Sequence, residues 1–182
     1  MPRIEINLAE QTLKLLDEAG GLVHSYSVST SRNGPGEMKD SFCTPRGRHI
    51  IRAKIGAGVA ENTIFIGRRP SGGIYTPALG ERHPGRDWIL TRILWLSGCE
   101  PGFNRLSDAD TMQRYIYIHG SPDSAQMGKP GSIGCIRMHN RDIVELFDQV
   151  APGTPVHPRK LINSQTGCGS WSRPVGRSRL AR

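Results

Sequence analysis

The sequence predicts a mainly β domain with long loops and one α-helix, and two observations lead to this fold class. The 182 residues include 22 glycines and 13 prolines, which indicates a turn-rich β protein rather than a helical bundle. Most apolar residues lie in short segments that either alternate with polar residues or form brief apolar runs, as strands do. With 36% hydrophobic residues, a chain of this length can bury a core without disulfides or a metal.

Strand-like segments follow one another through the first hundred residues. Segments 4–8 and 12–16 alternate around a short polar turn and predict a β-hairpin, which segment 22–29 continues. A loop rich in Gly, Pro, Ser and charged residues covers 30–48. Beyond it, further strands are predicted at 49–55, 62–67 and 88–96.

The second half of the chain is predicted to hold a buried strand, the helix and a closing strand. Residues 115–118 are apolar on both faces, which favours a strand that brings His119 to a sheet edge. Residues 140–150 carry an apolar stripe typical of an amphipathic helix, and Asn140 is expected to cap it. Residues 153–156 predict a last short strand.

The net charge of +8 comes mostly from the C-terminal end of the chain. Six Lys or Arg residues and no acidic residue follow Val156, so residues 1–156 hold 18 basic and 16 acidic side chains. We therefore predict a domain at 1–157 and a basic C-terminal tail at 158–182. A solvated, flexible tail is favoured over a segment that binds nucleic acid.

The beginning of the chain and its cysteines bear on its compartment. No charged segment followed by an apolar stretch opens the sequence, and no run approaches 18 apolar residues. These features predict no membrane span and a cytoplasmic protein, or a periplasmic one if a leader has been removed. Cysteines stand at 43, 99, 135 and 168 without a C-x-x-C spacing, so we expect reduced thiols, with all but Cys135 in packing roles.

A cysteine on a glycine turn is the leading candidate for chemistry. Cys135 lies in the run 132–138, and His119 stands sixteen residues upstream of it, after an apolar run. A thiol attacks amides well only as the thiolate, and a neighbouring imidazole can lower the pKa of a cysteine from about 8.5 to roughly 3.5–7.5. We therefore predict that Cys135 is a nucleophile and that His119 is its base.

Three neighbouring residues are candidates for shaping this site. Gly120 permits a tight exit from the strand after His119. Gly134 permits a turn in which the amides of Gly134 and Cys135 can face a developing oxyanion. Arg137 can bind a substrate carboxylate through two hydrogen bonds.

A metal site is the alternative interpretation of the same region. Cys135 and His139 have a C-x3-H spacing and would bind zinc together with His119. No second close pair of ligands accompanies them, so neither a metal nor another cofactor is predicted.

The motifs resemble the catalytic domain of the L,D-transpeptidase family. The resemblance rests on His119-Gly120, on Ser132-x-Gly134-Cys135-Ile136-Arg137-Met138, and on a following helix that leads into Gly153-Thr154-x-Val156. Upstream, Thr44-Pro45-x-Gly47 looks like the T-P-x-G strand entry of that family. The resemblance covers roughly residues 3–157 and implies a β-sandwich with one helix after the nucleophile.

The resemblance also implies an activity. Enzymes of this family attack the bond between a diamino acid and D-alanine in the tetrapeptide stems of peptidoglycan, and they pass the acyl group to an amine or to water. By this resemblance Cys135 is the nucleophile and His119 the general base, while Ser132, Gly134 and Arg137 shape the oxyanion and carboxylate pocket. Carbapenem-type inhibitors are then expected to acylate Cys135.

One position departs from the family pattern, because Ile133 stands where the family usually has His. Since the upstream His119 is the predicted base, we expect the chemistry to survive, with substrate handling and tuning of the thiolate affected. His139 is a candidate to compensate.

A cytoplasmic enzyme would meet recycled muropeptides, so hydrolysis of tetrapeptides is the favoured reaction. The alternatives are cross-linking or exchange of D-amino acids, and a non-catalytic module that binds peptidoglycan.

Overall fold

Ten strands joined in one curled sheet form the framework of residues 1–160, which are the residues that this computed structural model describes. The strands are β1 Arg3–Asn7, β2 Thr12–Leu16, β3 Leu22–Ser27, β4 His49–Ile55, β5 Thr63–Ile66, β6 Arg69–Ile74, β7 Leu90–Gly98, β8 Tyr117–Ser121, β9 Ile136–His139 and β10 Pro155–Arg159. The helices are α1 Pro77–Arg82 and α2 Asn140–Gln149, and a 3₁₀ turn covers Ser107–Ala109. The predicted mainly β class is confirmed.

The sheet curls until its two ends meet. Its main path runs β3-β2-β1-β10-β4-β7, and β7 continues to β8 and then β9 on one side and to β5 and β6 on the other. Just beyond β3, Ser29 pairs with Arg137 of β9 through two backbone hydrogen bonds of 2.9 and 3.0 Å. The chain after β3 therefore lies against the strand that begins directly after Cys135.

The core fills the inside of this curl. Ile118 of β8 and Ile136 and Met138 of β9 are fully buried in the main apolar cluster, together with Leu94 and Leu96 of β7. Helix α2 covers the same cluster with Ile143, Leu146 and Phe147. Since side chains alternate across a strand, the neighbours of these core residues, which include His119 and Arg137, face the other side of the sheet.

Two details of the β8 region differ from the sequence-based expectation. The strand begins at Tyr117 rather than at 115, because Tyr115 has a positive φ of 56° and belongs to a turn. The strand also continues through Gly120 to Ser121 and pairs with β7 and β9 on its two sides. His119 is therefore in the middle of an interior strand, not at a sheet edge, and Gly120 does not mark an exit from it.

The predicted cap of α2 is also wrong. His139 occupies the N-cap position, and Asn140 is the first helical residue. The Asn140 side chain instead accepts a 2.6 Å hydrogen bond from the Thr91 hydroxyl and donates one of 2.8 Å to Asn62 Oδ1. The buried amide of Asn140 thus links α2 to β7 and to the residue that directly precedes β5.

Helix α1 was not predicted, so the expectation of a single helix is corrected. Thr76 caps it, accepting a 3.3 Å hydrogen bond from the Leu79 N–H, and Pro77 occupies its first turn. The helix has only six residues, none of them buried, so it leaves no apolar stripe in the sequence.

Two further expectations concern the C-terminal tail and a membrane span. Strand β10 extends to Arg159, two residues into the predicted tail, and the tail from residue 161 onward lies outside the described residues. Within residues 1–160, no helix is long and apolar enough to cross a membrane.

We predict that the protonation of His49 destabilises the fold as the pH falls. His49 is 1% exposed, its Nδ1 donates to the Gly47 carbonyl at 3.1 Å, and its Nε2 accepts from the Thr111 hydroxyl at 2.9 Å. Burial lowers the pKa of this imidazole from 6.5 to about 4. Neutral His49 thus contributes stability above pH 6.5 that is lost as the pH falls toward 4, on the order of 3 kcal/mol.

Urea unfolding between pH 7 and 4 measures this loss. His49→Gln, which can keep both hydrogen bonds without titrating, is expected to flatten the decline relative to the unmodified protein. His24→Gln, at a partly exposed histidine on β3, is the matched control. A decline that is equally steep in both variants would assign the effect to other groups.

Candidate active site

The loop before β9 holds Cys135 through a short turn fixed by hydroxyl groups. The Ser132 hydroxyl donates to the Cys135 carbonyl at 2.5 Å and accepts from the Gly134 N–H at 3.2 Å. From the other side, the Thr44 hydroxyl donates to the Gly134 carbonyl at 2.9 Å. Gly134 has φ of +131°, a conformation that other residues rarely adopt.

This turn changes the part that two residues were expected to play. The Gly134 N–H is used by Ser132, so it does not face a substrate oxyanion as the sequence analysis proposed. Ser132 itself is fully buried, so it shapes the site by holding the turn rather than by facing a ligand. Thr44 belongs to the T-P-x-G motif, which here anchors the loop that holds Cys135, 90 residues further along the sequence.

The Cys135 thiol is half-buried beside the backbone of Tyr115 and Tyr117. Its Sγ lies 3.4 Å from the Tyr117 N–H, which donates to it, and 3.5 Å from the Tyr115 carbonyl. Burial raises the pKa of the thiol to about 12, which outweighs the lowering by the Tyr117 N–H and by Arg137 and Arg114. The resting group is thus a thiol, contrary to the expectation of a lowered pKa.

His119 is fully buried, and its tautomer is fixed. Its Nδ1 lies 2.8 Å from the Gly120 carbonyl, which can only accept, so Nδ1 carries the proton. Nε2 makes no hydrogen bond with any of residues 1–160. Burial lowers the pKa of this imidazole, against an opposing effect of Asp87. His119 is therefore neutral near pH 7, with a free lone pair on Nε2.

The register of β8 and β9 places the imidazole and the thiol on one face of the sheet. The strands are parallel, with His119 beside Arg137. Cys135 precedes Arg137 by two residues and so shares its face. Given strand spacings of about 4.8 Å and a rise of about 3.3 Å per residue, the backbones of His119 and Cys135 lie roughly 8 Å apart. Two side chains can span such a separation.

Arg137 lies next to both residues and forms an ion pair with Asp87. Its Nη2 is 2.6 Å from Asp87 Oδ1, and the two side chains are 18% and 17% exposed. Both line a cavity of about 410 Å³, together with Trp88 and Ser121. The cavity thus opens beside Arg137, the neighbour of His119 in the paired strands. Asp87 was not identified from the sequence.

Two other arginines that the sequence analysis missed hold the surroundings of Cys135. At the turn of the β5–β6 hairpin, Arg68 donates to the Tyr117 hydroxyl at 3.0 Å and stacks over the rings of Trp95 and Tyr115. Arg114 donates to the carbonyls of three residues in the loop before β4, namely Gly36, Glu37 and Cys43. No local sequence pattern marks either contact, since each depends on distant segments.

The remaining candidates line other cavities. Ile133 is 42% exposed and lines a second cavity beside Phe42 and Tyr115. His139 lines a third, with Asp123 among its neighbours, and is four residues along the chain from Cys135. Among the described residues, no group of three His, Cys, Asp or Glu side chains is arranged to hold a metal ion.

Neither of the other two described cysteines makes a hydrogen bond with Cys135 or His119. Cys99 follows the far end of β7 and donates its N–H to the Arg48 carbonyl. Cys43 is half-buried in the loop tied down by Arg114. Cys168 lies outside the described residues.

A neutral histidine on one strand of a curled β-sheet and a cysteine directly before the adjacent strand are the arrangement expected of a cysteine acyltransferase. The model of the YkuD family, the L,D-transpeptidase catalytic domain, matches residues 1–157. The chain therefore belongs to the L,D-transpeptidase family, as its motifs suggested.

Individual relatives agree with this assignment. The chain is 33% identical over 132 residues to the Bacillus subtilis protein named Putative L,D-transpeptidase YqjB, a match that covers 72% of this chain and 56% of the relative. Among solved structures, an L,D-transpeptidase from Xylanimonas cellulosilytica has a TM-score of 0.53 at 20% identity, covering 87% of this chain and 60% of that one. L,D-transpeptidase 3 from Mycobacterium tuberculosis, solved with a faropenem-derived adduct, has a TM-score of 0.52 at 17% identity, with the same coverage.

These likenesses extend over part of each relative. The chain spans 56% of YqjB and 60% of the two solved chains. At identities of 20% and below, the structural matches establish a shared fold.

We predict that Gly120→Ala destabilises the fold by about 1–3 kcal/mol. A Cβ at this position would lie 2.7 Å from the Leu90 carbonyl oxygen and would overlap Asn140 Oδ1, so β8 would have to shift. Gly73→Ala is the matched control, since that glycine is also in a strand and its Cβ would lie 3.5 Å from Ile64 Cδ1. Urea unfolding of both variants measures the difference, and similar losses in the two would contradict the prediction.

Proposed function

We propose that this chain cleaves the bond between the diamino acid and D-alanine of peptidoglycan stem tetrapeptides, through an acyl-enzyme on Cys135 and with water as the favoured acceptor. The observation that carries the proposal is His119, whose Nδ1 proton is held by the Gly120 carbonyl while Nε2 remains free on the face shared with Cys135. An imidazole in this state is a general base.

The first step forms the acyl-enzyme. His119 Nε2 takes the thiol proton while Cys135 Sγ attacks the carbonyl carbon, so that a C–S bond forms and negative charge develops on the oxygen. Because burial keeps the thiol protonated, proton transfer accompanies the attack rather than preceding it. The imidazolium then gives the proton to the leaving nitrogen, the C–N bond breaks, and D-alanine departs.

The second step releases the peptide. His119 takes a proton from water, the oxygen attacks the thioester, and the C–S bond breaks as the proton returns to Cys135. An amine in the place of water would give a cross-link or an exchanged D-amino acid. That second candidate is favoured by the family name that the relatives carry.

Arg137 is the proposed partner of the substrate carboxylate. Its guanidinium shares the face of Cys135 and His119 and opens into the 410 Å³ cavity. A guanidinium binds a carboxylate well through two parallel hydrogen bonds. Binding there would place the scissile bond of a peptide that ends in a free carboxylate near the thiol.

Water as the favoured acceptor is part of this proposal and stays a prediction. The alternative is a non-catalytic module that binds peptidoglycan. Such a module would have the same fold, and its binding would not require the Cys135 thiol. β-Lactams are suitable probes of Cys135, since a faropenem-derived adduct occurs in a related solved structure. Carbapenems are expected to acylate the same thiol.

The mass of the protein and of the peptide after incubation with a diaminopimelate tetrapeptide tests this function. We expect an adduct at Cys135 and release of tripeptide without any added amine. Cys135→Ala should abolish both, and His119→Gln should lower the rate by 10² to 10⁴-fold. Cys43→Ala, which alters a half-buried thiol outside the pair, is the control.

If product forms only when a D-amino acid is added, the reaction is exchange of D-amino acids and the proposal of hydrolysis is wrong. Turnover that survives Cys135→Ala would contradict the assigned nucleophile. A carbapenem adduct without any turnover of peptide would place the substrate outside tetrapeptide stems.

The pH dependence of kcat/KM tests the neutral resting pair. His119 must be unprotonated to act, and burial lowers its pKa, so we expect an acid limb with a midpoint below 6.5. With the pKa of Cys135 raised to about 12, the rate should then stay level through pH 9. A rise with a midpoint between 8 and 9 would instead show that a thiolate forms before the attack.

A further inference from the structure

The ion pair between Asp87 and Arg137 lies in the wall of the 410 Å³ cavity. Asp87 directly precedes Trp88, and Arg137 lies in β9, fifty residues later in the chain. The 2.6 Å contact therefore joins the segment that carries α1 to the strand that follows the nucleophile. A carboxylate of the protein thus already occupies the residue proposed to bind the carboxylate of the substrate.

The geometry of this pair is incomplete. Although Asp87 Oδ1 is close to Arg137 Nη2, it accepts no hydrogen bond of proper alignment from the described residues. Arg137 Nε is buried and likewise donates no hydrogen bond within residues 1–160. A carboxylate that engaged Nε and Nη2 together would gain the bidentate geometry that Asp87 does not achieve.

The segment that carries Asp87 is held at its ends. Trp88 is 6% exposed in a small cluster with Ile64 and Leu90, and Tyr75 and Leu79 pack against that cluster. Between Leu79 and Asp87, residues 81–86 are all exposed. Few buried apolar contacts would therefore be lost if Asp87 moved away from Arg137.

Charge balance favours the replacement of Asp87 by another carboxylate over a separation that leaves Arg137 without a partner. Both partners are less than one-fifth exposed, and removing one partner from such a pair leaves an uncompensated charge. An incoming carboxylate restores the balance at Arg137, while Asp87 can turn into the 410 Å³ cavity that both residues line. The Ser121 hydroxyl in that cavity is buried and makes no hydrogen bond with the part of the chain described, so it can donate to either carboxylate.

We propose that Asp87 is a specificity-determining residue that occupies Arg137 in the resting enzyme and gives up this place to the terminal carboxylate of the peptide. The inference rests on the proposed function for the identity of the incoming group. The occupancy of Arg137 by Asp87 is independent of turnover. Asp87 acts through Arg137 and is therefore a positioning residue, not a catalytic one.

Alkylation of Cys135 by a charged and a neutral reagent measures this occupancy without any substrate. Iodoacetate carries a carboxylate that a free Arg137 would attract, whereas iodoacetamide does not. The quantity to measure is the ratio of the two alkylation rates at Cys135. The modified residue is identified by peptide mass, because other cysteines also react. Asp87→Asn should raise the ratio of iodoacetate to iodoacetamide about five-fold, the order expected for one charge at a partly exposed site.

The ratio separates the proposal from a structural effect, since loosening of the site accelerates both reagents alike. Glu81→Gln removes a carboxylate from the wall of the same cavity, where Glu81 makes no ion pair with any described residue, and is expected to leave the ratio within two-fold. Asp87→Glu should restore the low ratio, and Arg137→Gln combined with Asp87→Asn should remove the gain. An unchanged ratio in Asp87→Asn, or an equal rise in Glu81→Gln, would overturn the proposal.

Turnover adds a second measurement. With tetrapeptide, Asp87→Asn should lower KM several-fold at a similar kcat, and it should have little effect on the KM of the same peptide with a terminal amide. Equal changes for both peptides would refute the exchange of carboxylates. If the unmodified protein turns over neither peptide, the proposed function fails, and the alkylation ratio still decides whether Asp87 occupies Arg137.

Discussion

The parallel pairing of β8 with β9 is the constraint on which the site depends. In this register Ile118 lies beside Ile136 and His119 beside Arg137, and a slip by one residue would turn every side chain of one strand to the opposite face. The register is fixed because Ile118, Ile136 and Met138 are fully buried in the main core. The apolar residues of these strands thus decide where the polar ones meet.

The elements that were predictable from the sequence are those with a local pattern. Alternation gave the first three strands, and one apolar stripe gave α2. The position of His119 within an interior strand was not predictable, because an apolar run does not show where the preceding turn ends, and Tyr115 still belongs to that turn. Asn140 at a helix start suits a cap or a buried network equally well, and only the nearby Thr91 and Asn62 decide between them.

Within the site, the sequence identified the residues of the motif and missed their partners. Cys135, His119 and Arg137 share one face, as the motif required. Asp87 comes from a segment without apolar periodicity and meets Arg137 only after the sheet has curled, and Arg68 and Arg114 make contacts of the same kind. Such contacts join residues that are far apart in the sequence, so no sequence motif of fixed spacing marks them.

Burial acts on both members of the pair in the direction of neutrality. It raises the pKa of Cys135 and lowers that of His119, because a poorly solvated site disfavours the thiolate and the imidazolium alike. The fixed charges are gathered next to them, in the contact between Arg137 and Asp87. In the proposed reaction, such a site begins from an uncharged thiol and imidazole, and its fixed positive charge at Arg137 is left for the carboxylate of the substrate.

The same arrangement explains why Ile133 need not disturb the proposed proton transfer. Its side chain is 42% exposed beside Phe42 and Tyr115, whereas the proposed proton path runs from Cys135 to a buried His119. The turn that holds Cys135 depends on Ser132, Gly134 and Thr44, and not on the side chain between Ser132 and Gly134. A change at 133 therefore alters an exposed apolar surface beside Phe42 and Tyr115, while the turn at Cys135 and the tautomer of His119 are set by other residues.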